Sequence, residues 1–271
     1  MTRLTTEWVE PMLTGMEDYN RVLKFRTGMN LCELMKRTFN FSCEYVDRMK
    51  KEIRVGVVPV TQGEGIIGCF SESIAAIVGS MGFSAEVMTH TDVDGIYEAY
   101  GRNCDVLFMA DDDRYLAVNT NRHKTSDNNY ATALGYIKVL EAMKEMGKDY
   151  EKTIKCPVLV IGHGLVGSEA TEILDEMGTE YYVYDRNPEV QAGAKHPLPE
   201  NLAIADFKYI LDFTNEGDWL SADQLAEDAC YASPGVPCSL TEDARELLGD
   251  RAVYDNLEIG TAVMLGEALS E

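Results

Sequence analysis

The sequence predicts an α/β protein in two halves, each a parallel sheet covered by helices, with a helical lead-in before the first. Three observations carry this. Apolar residues recur at three- and four-residue steps through the first fifty positions; short β-type runs alternate with helical periodicity from Ile53 onward; and Gly162-His163-Gly164-Leu165-Val166-Gly167 stands between an apolar run and an amphipathic pattern.

In chain order, Trp8, Met12, Met16, Tyr19, Val22 and Leu23, then Leu31, Leu34, Met35 and Phe39, mark helices. Arg54-Val55-Gly56-Val57-Val58-Pro59-Val60 reads as a strand, Gly63-Glu64-Gly65 as a turn, and Ile67, Phe70, Ile74, Ile77, Val78 and Met81 as one face of a helix. A strand near residues 85–88, a helix near 93–100, a buried strand over 105–110 running into Asp111-Asp112-Asp113, and a helix through Ala131, Leu134, Ile137, Leu140 and Met143 complete the first half. The charged, glycine-containing segment 144–155 marks the boundary, giving domains over 1–150 and 151–271. Beyond it come the strand Val158-Leu159-Val160-Ile161, a helix through Ala170, Ile173 and Met177, the strand Tyr181-Tyr182-Val183-Tyr184 ending at Asp185, and strands over 209–213 and 229–232. An apolar helix over 262–269 closes the second domain.

Twenty-four basic against 46 acidic side chains give a formal charge of −22. A nucleic-acid surface neutralises phosphates with clustered Lys and Arg, so this balance excludes nucleic acid as a partner and disfavours an anionic membrane surface. No apolar run reaches the roughly 18 residues of a spanning helix, and the opening residues lack the apolar core of a signal peptide, so a soluble, cytoplasmic protein is expected. The seven cysteines, Cys32, Cys43, Cys69, Cys104, Cys156, Cys230 and Cys238, are scattered and are read as reduced core residues. No metal site is expected, because zinc needs clustered ligands.

The glycine motif is the most informative stretch. In a Rossmann-like domain Gly162 permits the tight turn, Gly164 lets a pyrophosphate approach the helix N-terminus, and Gly167 lets helix pack on strand. Leu165 and Val166, inside the motif, are counted with its cofactor contacts, and His163 is read as structural or as a backbone contact. An acid that accepts the adenine ribose hydroxyls is expected about 20 residues on, where Asp185 stands, and its charge favours NAD over NADP although Arg186 lies beside it. The loops after the later strands, Thr214-Asn215 and Ser233-Pro234-Gly235-Val236-Pro237, are expected to line the nicotinamide pocket, with Thr214, Asn215, Pro234 and Gly235 as contacts.

Residues 57–73, Val-Val-Pro-Val-Thr-Gln-Gly-Glu-Gly-Ile-Ile-Gly-Cys-Phe-Ser-Glu-Ser, resemble the PylD family of pyrrolysine synthases. The resemblance extends to Met109-Ala110-Asp111-Asp112, Leu116-Ala117, Asn119, Asn128, the glycine motif, residues 233–238 and residues 259–265, in the family's order. It implies a homodimeric, NAD-dependent enzyme with an N-terminal α/β substrate domain. The implied substrate is a lysine whose ε-nitrogen carries 3-methylornithine in amide linkage; oxidation of its terminal amine carbon, loss of ammonia and ring closure with loss of water give pyrrolysine. By the same resemblance Gln62, Gly63, Glu64, Gly65, Ile66, Ile67 and Phe70 wrap the substrate, Asn128 holds a polar end, and the first helix around Leu4 acts as a lid. Asp111 is the catalytic candidate, because hydride leaves carbon only when the attached nitrogen is neutral and a carboxylate can orient that amine and exchange its proton. Two other readings fit the residues alone: another NAD-dependent dehydrogenase of an amino acid or cyclic imine, and a non-catalytic NAD-binding regulatory module.

Overall fold

The computed structural model describes residues 4–147 and 157–271. Its elements run α1 (Thr6–Val9), α2 (Met12–Thr27), α3 (Leu31–Thr38), α4 (Cys43–Glu52), β1 (Arg54–Val58), α5 (Phe70–Ser80), β2 (Ser84–Val87), α6 (Asp92–Gly101) and β3 (Val106–Ala110). They continue β4 (Tyr115–Asn119), β5 (Lys124–Asp127), α7 (Asn128–Met146), β6 (Val158–Ile161), α8 (Leu165–Glu176), β7 (Tyr181–Tyr184) and α9 (Pro188–Gly193). The chain closes with β8 (Tyr209–Asp212), β9 (Cys230–Ser233), α10 (Glu242–Leu248), β10 (Ala252–Tyr254) and α11 (Glu258–Leu269). Two compact units result: residues up to Lys24, Met29–Thr132 and Asn256–Glu271 form the first, and Phe25–Gly28 with Ala133–Asp255 the second.

The first unit holds a sheet in the order β2-β1-β3-β4-β5. Strand β1 runs parallel to β2 and β3 and is buried from Val55 to Val58, the near-continuous apolar run that a strand covered on both faces requires. The sheet is mixed rather than all parallel, because β4 runs antiparallel to both β3 and β5. This hairpin was not foreseen: its strands have only five and four residues, too short for alternation to stand out. Its consequence is that β1, β3 and β5 point the same way and end on one edge of the sheet. Asn30 and Glu33 start α3 with a reciprocal cap, and Ser42 starts α4 by accepting from the Tyr45 N–H.

Helix α11 corrects the expected domain division. Nearly every residue from Glu258 to Leu269 is buried, so the helix must be surrounded, and it packs in the first unit against α3, α5, β4 and β5 rather than closing the second. Glu258 is satisfied at the helix start, where its Oε2 accepts from the Asn256 and Leu257 N–H groups at 3.2 and 3.0 Å. The other division falls within α7, between Thr132 and Ala133; the expected boundary at 150–151 lies outside the described residues.

The second unit is a fully parallel sheet, β10-β9-β8-β6-β7. Its first strand in sequence, β6, lies between its second and third, so the winding reverses between β6 and β8, the switch point at whose carboxyl ends sheets of this kind bind their ligands. Leu159, Ile161, Ile210, Tyr231 and Leu240 form the core beneath it. Strands β6, β7, β8 and β9 lie within one residue of their expected positions, whereas β10 was not foreseen.

Among the described cysteines, Cys104 and Cys230 are buried, Cys32, Cys69 and Cys238 half-buried, and all are free. Cys43 departs from the expected core role: it is exposed at the start of α4, with the Lys36 Nζ 3.2 Å from its Sγ. Cys156 lies outside the described residues. No helix among the described residues is long and apolar enough to cross a membrane.

Candidate functional site

In the second unit the glycine motif forms the turn from β6 to α8, and its glycines do three different jobs. Gly162 sits at φ +83°, and a Cβ there would lie 2.8 Å from Thr214 Cγ2. At Gly164 a Cβ would meet nothing within 4 Å, so the approach to the start of α8 is open. A Cβ on Gly167 would lie 2.0 Å from the Gly162 carbonyl oxygen, so only glycine lets the first turn of α8 rest on the loop. No side chain caps the N-terminus of α8, and Leu165 is 67 % exposed beside it. Uncapped N–H groups, open space and an exposed apolar side chain fit a dinucleotide's pyrophosphate and flanking rings.

Asp185 follows β7 directly and is fixed by backbone donors: Oδ2 accepts from the His163 N–H and Oδ1 from the Asn187 N–H, both at 2.8 Å. His163 therefore ties the glycine turn to the acid through its backbone, while its ring Nε2 lies 3.1 Å from Thr171 Oγ1. The loops after β8 and β9 also converge here, since a Cβ on Gly235 would lie 2.4 Å from the Thr214 carbonyl oxygen. Gly162, His163, Asp185, Thr214 and Gly235 are thus one cluster; Asn215 and Pro234 lie in the same loops, and Leu165 and Val166 open α8 directly after the glycine turn.

Beneath it lies a carboxyl group read from the sequence only as part of the strand over 209–213. Asp212 is fully buried; its Oδ1 accepts from the Thr214 N–H at 2.9 Å and the Thr214 hydroxyl at 2.7 Å, and its Oδ2 from the Tyr231 hydroxyl at 2.9 Å. Burial pushes its pKa up, and these donors, with Ser239, oppose that rise. An acid ending an apolar strand was visible in the sequence; its burial was not.

In the first unit, β1, β3 and β5 deliver their following loops to one edge of the sheet. Asp111, next after β3, closes its own turn: Oδ1 accepts from the Asp113 and Arg114 N–H groups at 2.8 and 2.7 Å. Its other carboxylate oxygen has no hydrogen bond among the described residues. Asp112, also missed as a site residue, holds the glycine loop, its Oδ2 accepting from the Glu64 N–H at 2.5 Å. Gly63, at φ +85°, lies so close that a Cβ would be 2.0 Å from that oxygen.

Gln62 and Glu64 are exposed, Gly65 and Ile67 half-buried, and Ile66 is 51 % exposed. Helix α5 starts at Phe70, not Ile67, so Ile67 belongs to the loop. Phe70 packs edge-on to Tyr115, with ring centroids 5.9 Å apart. Leu4 is half-buried just before α1, and α1 lies against this loop, for a Cβ on Gly68 would be 3.0 Å from Thr6 Oγ1 and Ser73 Oγ donates to the Val9 carbonyl at 2.8 Å. Asn128 opens α7 at the end of β5, where its Oδ1 accepts from the Thr132 hydroxyl at 3.1 Å.

A parallel doubly wound sheet with a glycine turn at its switch point and an acid ending the next strand defines an α/β protein with a Rossmann-like unit. The fold is shared with the bifunctional methylenetetrahydrofolate dehydrogenase/cyclohydrolase FolD of Campylobacter jejuni, at a TM-score of 0.51 and 13 % identity over 95 % of this chain and 96 % of that one. Residues 9–126 match the N-terminal domain of pyrrolysine biosynthesis protein PylD. The chain is 30 % identical to the pyrrolysine synthase of Methanosarcina acetivorans over 98 % of both chains, and 33 % identical to that of Methanosarcina barkeri over 80 % of this chain and 81 % of the relative. It belongs to the pyrrolysine synthase family.

Proposed function

We propose that the protein is a pyrrolysine synthase, an NAD-dependent oxidoreductase acting on the terminal CH–NH2 carbon of the 3-methylornithine moiety in lysine-Nε-3-methylornithine. The observation that carries the reading is the end-to-end relationship to pyrrolysine synthases, which spans both units and not the cofactor-type unit alone. Oxidation gives an imine at that carbon; either water displaces ammonia to leave a carbonyl that condenses with the remaining amine and releases the water again, or the remaining amine displaces ammonia directly, and both routes close the pyrroline ring.

The second unit's loops would hold the dinucleotide, with the pyrophosphate at Gly164, Leu165 and Val166, the adenine ribose at Asp185, and the nicotinamide end beside Thr214, Asn215, Pro234 and Gly235. Bound NAD⁺ supplies the hydride acceptor. In the first unit Asp111 faces the reacting amine: its own turn fixes one carboxylate oxygen and leaves the other to orient the ammonium group and take its proton, so that the nitrogen lone pair is free when the C–H bond breaks. Gln62–Ile67 and Phe70, with Leu4 from the N-terminal segment, enclose the apolar parts of the substrate, and Asn128 holds a polar end. The test is mass spectrometry of the product after incubation with NAD⁺ and lysine-Nε-3-methylornithine. The mass of pyrrolysine is expected; unchanged substrate, with NAD⁺ binding shown separately, would assign the protein to another amine or to regulation.

A further inference from the structure

Arg186 follows the ribose-binding candidate Asp185 directly, the position from which an arginine would neutralise the 2′-phosphate of NADP. Its guanidinium is already engaged. It pairs through Nη1 with Glu216 Oε2, and its Cζ lies 4.3 Å from the centre of the Trp219 ring. Trp219 is held in turn by its backbone, whose N–H donates to the Ser239 carbonyl at 2.8 Å, and packs against the core of the unit.

The position of this pair in the sheet gives it meaning. Arg186 stands just beyond β7 and Glu216 just beyond β8, and β6 lies between those strands. Two strand spacings, about 10 Å, separate β7 from β8, a distance that long side chains such as Arg and Glu help to bridge. Both residues follow the carboxyl ends of their strands, the side of the sheet on which Gly162 begins the glycine turn after β6. The local charge is also unfavourable to a phosphate: Asp185 and Glu216 outnumber Arg186, leaving a net single negative charge.

We propose that Glu216 determines the dinucleotide preference. By pairing with Arg186 it keeps the guanidinium on Trp219 and withholds it from the ribose 2′ position, so the site favours the unphosphorylated ribose of NAD. This rests on the reading of the second unit as a dinucleotide site. Both side chains are exposed at the surface, 44 % for Arg186 and 61 % for Glu216, so exchanging them leaves the core intact.

The experiment is titration of NADH and of NADPH into the full chain, followed by nicotinamide fluorescence, for the wild type, Glu216→Gln and the double variant Glu216→Gln/Arg186→Ala. The wild type should bind NADH more tightly. In Glu216→Gln the preference should shift toward NADPH by about fivefold, the upper range of an exposed charge pair, and the double variant should lose that gain. An unchanged ratio in Glu216→Gln, or a gain that survives removal of Arg186, overturns the proposal. Failure of the wild type to bind either nucleotide overturns the dinucleotide reading itself, an outcome seen before any variant is made.

Discussion

Gly167 and Asp111 show the two ways a single residue matters here, one by what it lacks and one by what it holds. Gly167→Ala places a methyl group 2.0 Å from the Gly162 carbonyl oxygen, so α8 must shift from its turn. The variant should lose about 1–3 kcal/mol of stability in denaturant titration, the cost of overpacking a closed contact, with NADH affinity falling as well. Asp111→Asn keeps the turn, because the amide oxygen can still accept from the Asp113 and Arg114 N–H groups, yet removes the carboxylate proposed as the base. Turnover should fall at least about 100-fold while NADH binding is retained; turnover like that of the wild type removes Asp111 from the mechanism. Motif spacing in the sequence was enough to single out Gly162, Gly164, Gly167 and Asp185, since each glycine's role follows from backbone geometry. Asp112, Asp212 and Glu216 were not legible, because what matters for them is a partner 19 to 48 residues away: Asp112 meets Glu64, Asp212 meets Tyr231 and Glu216 meets Arg186.

Among the elements, the loop between β1 and α5 depends on one long-range anchor. Asp112 holds the Glu64 N–H, and Gly63 makes room for the carboxylate. Asp112→Ala should free the loop and raise the substrate KM about tenfold, the worth of one hydrogen bond to a charged group of about 1.5 kcal/mol, while kcat and NADH affinity hold. Steady-state kinetics with separate NADH titration checks this, and an unchanged KM would mean that the loop does not need its anchor. The sequence marked this segment as strand, turn and helix but placed the helix start three residues early, since Ile67 shares the apolar spacing of Phe70 and Ile74. Spacing reports which residues are apolar, not where backbone hydrogen bonding begins.

For the whole molecule, Asp212 couples stability to pH. Burial holds its folded pKa above the ordinary aspartate value of 3.8, so the folded chain keeps this proton more tightly than the unfolded chain. The contribution is present in full below that ordinary value and is lost as pH rises through the raised folded value. Relative to the wild type, Asp212→Asn should therefore gain stability as pH rises from about 4, with little difference below it; urea midpoints across that range measure the change, and parallel curves would show that Asp212 titrates normally. The two-unit α/β plan was legible from the alternation of strand and helix runs. The return of α11 to the first unit was not, because a helix apolar on every side shows that it is buried but not among which strands.

The central claim, that this chain oxidises the terminal amine carbon of a lysine-linked methylornithine, is tested most directly by stoichiometry. NADH and free ammonia are measured together on mixing the protein with NAD⁺ and lysine-Nε-3-methylornithine, with free lysine and free ornithine as controls. Equal amounts of NADH and ammonia from the conjugate alone are predicted. NADH formation from the free amino acids at a comparable rate, or none from the conjugate, would contradict the account.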